Sequence, residues 1–371
     1  MTNILYIVSN INKSLSFEWI EQRLDKHKYS LQFILINQQK SELYTYLQHK
    51  GCPVQEHFYS NKFGLVSIFL KVLFYQINNR PDVVHTHLLE ANIIGLTTAW
   101  FLGIKKRIFT RHHALVHYVD YPKGIFWDKW CNTIATHIIA VSNNVRNILV
   151  RKDGTPSDKV HVIRHGFDLA YFDAHDLQKV KSIRKKYVLD KKKPVIGVIS
   201  RHVHWKGIQY IIPAFEKLLT RYPDAILVLA NAQGEYSNVL NKMLEKLPTK
   251  SYRQIVFEQD LSSLYQCFDL YVHTPIDTES EAFGQTYVEA LACGIPSVVT
   301  LSGIANDFIM DEKNALVIPH KNSEEIYSAM MRLIEDGELK NKIVQEGKDS
   351  VARLFQVKKM IDSLEQLYAR A

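Results

Sequence analysis

Short apolar runs rich in Val, Ile and Leu recur along both halves of the chain, and longer helical patterns separate them. In the first half these runs are "NILYIVS", "LQFILI", "DVVHTH", "KRIFTRH", "HIIAVS" and "VHVIRHG". In the second half they are "PVIGVIS", "AILVLAN", "QIVFE", "DLYVHT", "PSVVTL" and "ALVIP". Such runs are typical of parallel strands that helices cover on both faces. The sequence therefore predicts an α/β fold with two Rossmann-like sheets, one in each half.

A length of 371 residues suits two domains of ordinary size. The polar, basic stretch after Gly166 lacks a strong apolar period, which is typical of an interdomain connection. We expect a first domain over 1–168, a connection over 169–193, a second domain over 194–355, and a C-terminal helix over 356–371 that returns toward the first domain. Ligands of open α/β sheets bind beyond the carboxyl ends of the strands, so two domains facing each other across a cleft would each hold one substrate.

Composition and the shape of the N-terminus indicate the class of protein. Hydrophobic residues make up 46% and charged residues 23%, which is typical of a globular enzyme or binding protein and excludes a disordered chain. The four cysteines lie far apart without metal-type spacing, which favours a reduced, cytoplasmic setting. The start "MTNILYIVSN" is typical of a first strand rather than a signal peptide. The longest apolar stretch, residues 63–77, is too short to span a bilayer and predicts a buried helix.

The charge is unevenly placed along the chain. Residues 1–170 carry 20 Lys/Arg against 12 Asp/Glu, whereas residues 171–371 carry 26 of each. A basic half suits an anionic membrane surface or a phosphorylated substrate, and we expect no nucleic-acid partner because the sequence contains no nucleic-acid module. A basic surface that binds nothing is the alternative, with about even weight.

Two glutamates with seven residues between them, Glu281 and Glu289, lie in "ESEAFGQTYVEALACGIPSVVT". The spacing alone decides nothing, because Glu338 and Glu346 have the same separation on a charged helical stretch to which we assign no function. The surroundings differ. Glu281 follows a predicted strand, and Gly284 precedes a helix whose N-terminal N–H groups suit a phosphate. Glu289 then falls within reach of a ribose attached to that phosphate.

A pair of cations opens the second half in "VIGVISRHVHWKGIQYI". Arg201 follows a predicted strand, and Lys206 lies at a helix start. Together they would neutralise a diphosphate without a metal ion, since Arg binds phosphate oxygens bidentately and Lys adds a compact charge. Two solvated surface cations are the ordinary alternative, but the helix-start motif 80 residues later favours the diphosphate.

Taken together, these motifs resemble those of the retaining glycosyltransferases of family 4, which have the two-Rossmann GT-B fold, over nearly the whole chain. "SRHVHWKG" and "EAFGQTYVEALACGIPSVV" are similar to the family's Arg, four residues, Lys-Gly element and its Glu, seven residues, Glu element. The individually weaker N-terminal similarities are "RPDVVHTH", "IFTRHH", "IIAVSNNV" and "KVHVIRHGFDLAYF". Where the family usually has a Gly-rich turn after its first strand, this chain has "SNINKSLSF".

The resemblance implies roles for individual residues. Arg201 and Lys206 would hold the donor diphosphate, Glu281 would contact the donor sugar and Glu289 would bind ribose. Further donor contacts are expected at Phe283, Gly284 and Gln285, and from backbone N–H groups of Ser302, Gly303 and Ile304. His112, or its neighbour His113, would lie near the transferring sugar or the acceptor, and the remaining acceptor-side candidates are His87 and Asn10. A structural, hydrogen-bonded histidine is an equal alternative for either His112 or His113.

The resemblance further implies a retaining, metal-independent hexosyltransferase-like enzyme without a cofactor. Its first domain would bind the acceptor, a lipid-linked or cell-surface glycan precursor, and its second domain the nucleotide-diphosphate sugar. Peripheral association with the inner face of the membrane is a further expectation. Phe126, Trp127 and Trp130 are its candidate lipid contacts, although a core or acceptor-loop role is favoured for them. The alternatives are a non-catalytic protein of the same fold that binds anionic membrane or polymer, and a sugar-nucleotide epimerase.

Overall fold

The computed structural model describes residues 1–173 and 176–370, which form two compact units. Unit 1 comprises Met1–Phe167 and Val357–Ala371, and unit 2 comprises Asp168–Gln356. Residues 174 and 175 of the predicted connection, and residue 371 of the predicted C-terminal helix, lie outside the described residues.

Unit 1 contains a seven-stranded parallel sheet with strand order β3-β2-β1-β4-β5-β6-β7. Its strands are β1 (Thr2–Ser9), β2 (Tyr29–Asn37), β3 (Val54–Phe58), β4 (Val83–His87), β5 (Lys106–Arg111), β6 (His137–Ala140) and β7 (Val160–Val162). The order reverses between β1 and β4, whose register pairs Val8 with His87. In doubly wound sheets ligands bind at the carboxyl ends of the strands at such a reversal.

Seven helices of unit 1 connect consecutive strands of this sheet. They are α1 (Leu15–Arg23), α2 (Glu42–His49), α3 (Lys62–Asn79), α4 (Leu89–Phe101), α5 (Val116–Val119), α6 (Gly124–Ile134) and α7 (Asn143–Asn147). The residue before a helix often caps it by accepting a hydrogen bond from a backbone N–H of the first turn. The Ser41 side chain accepts from the Tyr44 N–H at the start of α2, and the Asn61 side chain accepts from the Gly64 N–H at the start of α3. A π-helical turn, Ile148–Lys152, continues α7.

Unit 2 contains a six-stranded parallel sheet with strand order β10-β9-β8-β11-β12-β13. Its strands are β8 (Val195–Ile199), β9 (Ile226–Ala230), β10 (Tyr252–Ile255), β11 (Leu270–His273), β12 (Ser297–Val299) and β13 (Leu316–Val317). The reversal of strand order falls between β8 and β11, which are hydrogen-bonded neighbours. The carboxyl ends of these two strands therefore define the expected ligand site of unit 2.

The helices of unit 2 cover this sheet and include the segment predicted as a connection. They are α8 (Leu169–Asp173), α9 (Leu177–Lys186), α10 (Ile208–Arg221), α11 (Ser237–Leu244), α12 (Leu261–Tyr265), α13 (Gln285–Ala292), α14 (Ala305–Phe308), α15 (Ser323–Glu335) and α16 (Gly337–Leu354). Helix α8 packs against α13 and α12, and α9 packs against α12.

The last helix, α17 (Val357–Ala369), belongs to unit 1, as expected from the sequence. It packs against α1. The Val357 N–H donates to the Phe167 carbonyl at 3.0 Å, and the Tyr368 hydroxyl lies 2.5 Å from that of Tyr6 on β1. Both tyrosines are buried, so α17 is part of the core of unit 1.

All twelve predicted strand runs form strands, and the predicted class of two parallel α/β units is confirmed. The sequence missed β3, an edge strand with the polar sequence "VQEHF" and no fully buried residue. Among the described residues, no helix has both the length and the hydrophobicity needed to cross a bilayer.

The prediction of a buried helix over residues 63–77 is wrong in one respect. The helix forms as α3, and one face, including Ile68 and Val72, is buried. The opposite face is exposed although it is apolar, with Phe74 exposing 60% of its surface. A sequence that is apolar on both sides of a helix does not reveal that only one side is covered.

Candidate active site

The cations singled out in the sequence lie beside the strand reversal of unit 2. Arg201 follows β8 by two residues, and Lys206 ends a short 3-10 turn, His204–Lys206. His273 is the last residue of the neighbouring strand β11. Strand topology thus brings basic side chains to the edge of the sheet where α/β proteins bind ligands.

Lys206 and Glu281 form an ion pair in this site. The Lys206 ammonium contacts Glu281 Oε1, and the same oxygen accepts a hydrogen bond from His273 Nε2 at 3.0 Å. The Lys206 side chain exposes 12% of its surface, whereas Glu281 and His273 are buried. The Lys206 ammonium also lies 4.6 Å from the centre of the Trp205 ring. An ammonium group has three donors, so Lys206 retains capacity for a further anionic partner.

The charges of this cluster are fixed by its contacts. Burial raises the pKa of Glu281, but the Lys206 charge and the His273 hydrogen bond outweigh burial and lower it to about 2. Burial lowers the pKa of His273, more than the Glu281 carboxylate raises it. At neutral pH Glu281 is therefore ionised, while His273 is neutral and donates its single ring N–H to it.

Two glycines allow the chain to approach itself closely around this cluster. Gly207 has a positive φ of 74°, and a Cβ there would lie 1.8 Å from the Thr274 carbonyl oxygen. Gly303, with φ of 57°, backs onto the Glu281 loop, where a Cβ would lie 2.7 Å from that of Glu281. Any other residue at these positions would displace Thr274 or Glu281.

The expectation that Gly303 and Ile304 offer free backbone N–H groups is wrong. The Gly303 N–H donates to the Thr278 carbonyl at 3.3 Å, and the Ile304 N–H donates to the Phe283 carbonyl at 2.8 Å. The Ser302 hydroxyl accepts from the Glu281 N–H at 3.2 Å. This turn therefore supports the Glu281 loop from within the protein.

The second glutamate of the pair has the opposite electrostatic character. Glu289 lies in the second turn of α13, is buried, and accepts a 2.9 Å hydrogen bond from the Tyr265 hydroxyl. Burial raises the pKa of Glu289 to about 7, although the Tyr265 hydrogen bond opposes this. Glu281 and Glu289 therefore differ in protonation near neutral pH, which is typical of carboxylates with distinct tasks.

The remaining donor-side candidates differ in accessibility. Gly284 precedes α13 in a left-handed conformation, and Gln285, the first residue of α13, is exposed. Phe283 is buried, with its ring 6.0 Å from that of Phe355. Arg201 is exposed, and within the described residues its guanidinium makes no hydrogen bond or ion pair.

Histidines occupy the corresponding edge of the unit 1 sheet. His87 ends β4, and its Nδ1 lies 3.0 Å from Nε2 of the half-buried His112, just beyond β5. The His112 ring stacks on that of His165 with 5.5 Å between ring centres. Burial lowers the pKa of His87 and His112 well below the usual value, and that of His165 to about 4. This cluster is uncharged at neutral pH.

His113, the alternative to His112, has a different environment. Its Nε2 lies 3.5 Å from the Asp128 carboxylate, which accepts a hydrogen bond from His117 Nδ1 at 2.6 Å and pairs with Arg111 at 2.7 Å. The ligand atoms of His113, His117 and Asp128 lie within 4.8 Å of one another, close enough to hold a metal ion. The Arg111 guanidinium already neutralises Asp128, so a cation would have to displace it.

Asn10 lies where the family resemblance led us to expect a Gly-rich turn. It has a positive φ of 51°, a conformation that Asn tolerates better than most residues. Its side chain donates to Glu90 at 2.9 Å and accepts from the Tyr59 hydroxyl at 2.8 Å. The turn after β1 is thus held by side chains.

Sequence reasoning missed His273 and Tyr265, which contact the two glutamates, and it named Ser302 for its backbone N–H rather than for the hydroxyl that contacts Glu281. These contacts were hard to predict because His273, Tyr265 and Ser302 each lie in or beside a buried segment. A single polar residue there follows no recognisable spacing in the sequence. The position of His273 at the carboxyl end of β11 was the one available clue.

Two family models match consecutive parts of the chain. The model described as Glycosyltransferase Family 4 matches residues 23–171, and the model described as Glycosyl transferases group 1 matches residues 179–350. The chain belongs to the family 4 glycosyltransferases. The second match includes Arg201, Lys206, Glu281 and Glu289.

Relatives and solved structures agree with this membership. An uncharacterized glycosyltransferase of Methanocaldococcus jannaschii is 29% identical over 74% of this chain and 71% of its own length. The capsular polysaccharide biosynthesis glycosyltransferase CapM of Staphylococcus aureus is 24% identical over 82% of this chain and 81% of its own. Anabaena HepE, solved in complex with UDP-glucose, shares the fold with a TM-score of 0.84 at 20% identity, covering both chains fully. The fold of this glycosyltransferase is GT-B.

Proposed function

We propose that this glycosyltransferase moves a sugar from a nucleotide-diphosphate donor to an acceptor hydroxyl, with retention of the anomeric configuration and without a metal ion. The observation that carries the proposal is the contact between the Lys206 ammonium and the Glu281 carboxylate at the strand reversal of unit 2. A diphosphate and a sugar are the two parts of the donor that such a cation and such a carboxylate would bind.

In this proposal the charged groups of unit 2 divide the donor among them. The Arg201 guanidinium and the Lys206 ammonium bind the diphosphate, together with the N-terminus of α13, which begins after Gly284. Glu281 accepts hydrogen bonds from hydroxyls of the donor sugar. Glu289 accepts hydrogen bonds from the ribose hydroxyls. Phe283 and Gln285 flank Gly284 and contact the donor at the turn between the two glutamates.

The chemical step follows from this division. The bond between the anomeric carbon and the phosphate oxygen breaks, and both bonding electrons remain on the departing diphosphate. Arg201 and Lys206 stabilise that growing negative charge in fixed positions. The acceptor oxygen attacks the face from which the diphosphate leaves, and its proton passes to a departing phosphate oxygen. In this proposal Glu281 forms no covalent bond to the sugar and instead orients its hydroxyls, with Oε1 positioned by Lys206 and His273.

The acceptor side is assigned to unit 1, where His112, with His87 behind it, would contact the hydroxyl acceptor or the transferring sugar. His113 is disfavoured for this role because it belongs to the Asp128 network. Asn10 would contribute at the turn after β1. We infer that the acceptor is a lipid-linked or cell-surface glycan precursor, in keeping with CapM, named for capsular polysaccharide biosynthesis, and with a cytoplasmic enzyme that acts at the membrane.

The test begins with a thermal-shift panel of nucleotides and nucleotide sugars, because a ligand of the native state raises its melting temperature. The donor found in this way is then assayed for transfer to membrane-extracted lipid acceptors in the presence of a chelator. NMR coupling constants of the product report its anomeric configuration. We expect donor-dependent transfer that resists the chelator and retains configuration. An inverted product, loss of activity with the chelator, or no stabilisation by any nucleotide would contradict the proposal.

A further inference from the structure

Helix α3 carries an unusual exposed surface. Phe63, Val66, Leu70, Phe74 and Ile77 expose 86%, 62%, 48%, 60% and 42% of their surfaces. Their spacings of three and four residues place them on one face of the helix, which we call the α3 stripe. At 1.5 Å per residue the stripe is roughly 20 Å long. Exposed apolar surfaces of this kind mark sites of protein or membrane interaction.

The stripe is presented on a firmly held helix. The opposite face of α3 packs into the core of unit 1, where Ile68 and Val72 are buried. The side chain of Asn61 caps its start by accepting from the Gly64 N–H at 3.1 Å. The exposure of the stripe is therefore a property of the folded helix and does not come from fraying.

Apolar exposure extends to the neighbouring helices of the same layer. Helix α4 packs against both α3 and α6. At the end of α4, Trp100 and Phe101 expose 45% and 67% of their surfaces, and on α6 Phe126 and Trp127 expose 67% and 38%. Trp130 instead turns inward, with its indole N–H donating to Thr97 at 3.0 Å. Aromatic side chains of this kind are favoured at the boundary between water and lipid.

Charge indicates which partner the surface fits. Unit 1 holds 23 Lys/Arg against 13 Asp/Glu, whereas unit 2 holds 23 against 25. Helix α3 has no acidic residue, and the exposed Lys71 and Arg80 lie within it and at its end. A second copy of unit 1 would bring two basic surfaces together, which is unfavourable, whereas anionic lipid headgroups would be attracted.

We propose that the α3 stripe lies in the plane of an anionic bilayer, with its apolar side chains in the boundary between headgroups and acyl chains. The helix would bind at the surface without crossing the bilayer. This inference refines the membrane-facing part of the proposed function by naming the surface, and it does not depend on the donor chemistry.

The test is flotation of the full chain with phosphatidylcholine vesicles, with and without phosphatidylglycerol. We expect binding to the anionic vesicles that weakens with salt. Leu70→Ser combined with Phe74→Ser should lower the partition coefficient about 10- to 100-fold, because two exposed apolar side chains no longer enter the bilayer. The matched control is Val256→Ser with Phe257→Ser, which removes two apolar side chains from unit 2 that are more exposed than Leu70 and Phe74, and it should leave vesicle binding unchanged.

Other outcomes would overturn the inference. It fails if the wild type does not bind anionic vesicles at low salt, or if the α3 variant binds as well as the control. It also fails if light scattering shows that the wild type is a dimer and the α3 variant a monomer, because a second copy of the chain then covers the stripe. Nucleotide binding measured without lipid should be the same in both variants, so failure here is distinguishable from failure of the proposed function.

Discussion

The two sheets share one topology but present different chemistry at their strand reversals. In unit 2 the reversal holds the ion pair between Lys206 and Glu281, with the exposed Arg201 at the end of β8. In unit 1 it holds His87 and His112, which burial keeps neutral. The reversal in unit 2 thus presents an ion pair and an exposed guanidinium, whereas the histidines at the reversal in unit 1 are uncharged.

This difference matches the two halves of a glycosyl transfer. A leaving diphosphate gains negative charge and requires cations that are already in position. An acceptor hydroxyl is neutral, and a fixed charge beside it would cost desolvation without a compensating partner. The comparison therefore predicts that removing charge from unit 2 has a larger effect than removing a hydrogen bond from unit 1.

The largest effect is expected for Lys206→Ala. Loss of the ammonium removes one stabilising group from the leaving diphosphate and should lower kcat by roughly 10²-fold or more. The matched control is Lys217→Ala, which removes a lysine that also pairs with a glutamate, Glu324, but on the surface of unit 2. If the two variants were equally active, the Lys206 charge would have no special role, and the proposed difference between the strand reversals of unit 2 and unit 1 would be wrong.

A smaller loss is expected for His112→Ala in unit 1. The variant lacks one hydrogen bond to a neutral group, so kcat should fall about 10-fold while the donor Kd stays unchanged. Wild-type kcat should show no step from this cluster between pH 6 and 8, because its histidines are deprotonated throughout that range. His49→Ala, at an exposed histidine of the same unit, serves as the control. A change in donor Kd would argue against the assignment of His112 to the acceptor side.

His273→Phe tests how Glu281 is held and should lower kcat by about 10-fold. The His273 hydrogen bond lowers the pKa of Glu281, so its loss raises that pKa, and activity on the acid side should disappear at a higher pH than in the wild type. His273→Gln keeps a donor at the same end of the side chain and should restore the wild-type pH profile. If the two variants have the same profile, His273 has only a packing role.

The smallest effect concerns Glu289 and nucleotide affinity. Burial raises its pKa to about 7, so it is largely protonated at pH 6 and ionised at pH 8. Ribose hydroxyls donate to the ionised form, so the nucleotide Kd should tighten several-fold, and by at most about 10-fold, as the pH rises from 6 to 8. Calorimetric titration measures this change, and Glu289→Gln should bind with no such dependence. Tighter binding at pH 6 would have the wrong sign.

Sequence patterns predicted the fold and the charged edge because both depend on regular signals. Uninterrupted apolar runs identify buried parallel strands, and the groups flanking Gly207 and Gly284 carry recognisable spacing. The exposed face of α3 was missed because its residues are as apolar as those of its buried face. The support of Glu281 by His273 was missed because the contact joins the end of a strand to a loop eight residues later.

Burial and pKa distinguish the two glutamate pairs of equal spacing. Glu281 and Glu289 are buried and have shifted pKa values, whereas Glu338 is exposed on α16. Spacing could not distinguish these pairs, but the strand before the first pair and the glycine within it could. We therefore expect Glu338→Gln to leave activity unchanged, and it serves as the control for the same substitution at Glu281.

A crystal structure of the protein with a bound nucleotide sugar would show directly whether unit 2 binds the diphosphate. We expect the diphosphate to lie within hydrogen-bonding distance of the Arg201 guanidinium and the Lys206 ammonium, beside the first turn of α13. A diphosphate bound at the histidines of unit 1, or away from both cations, would contradict it.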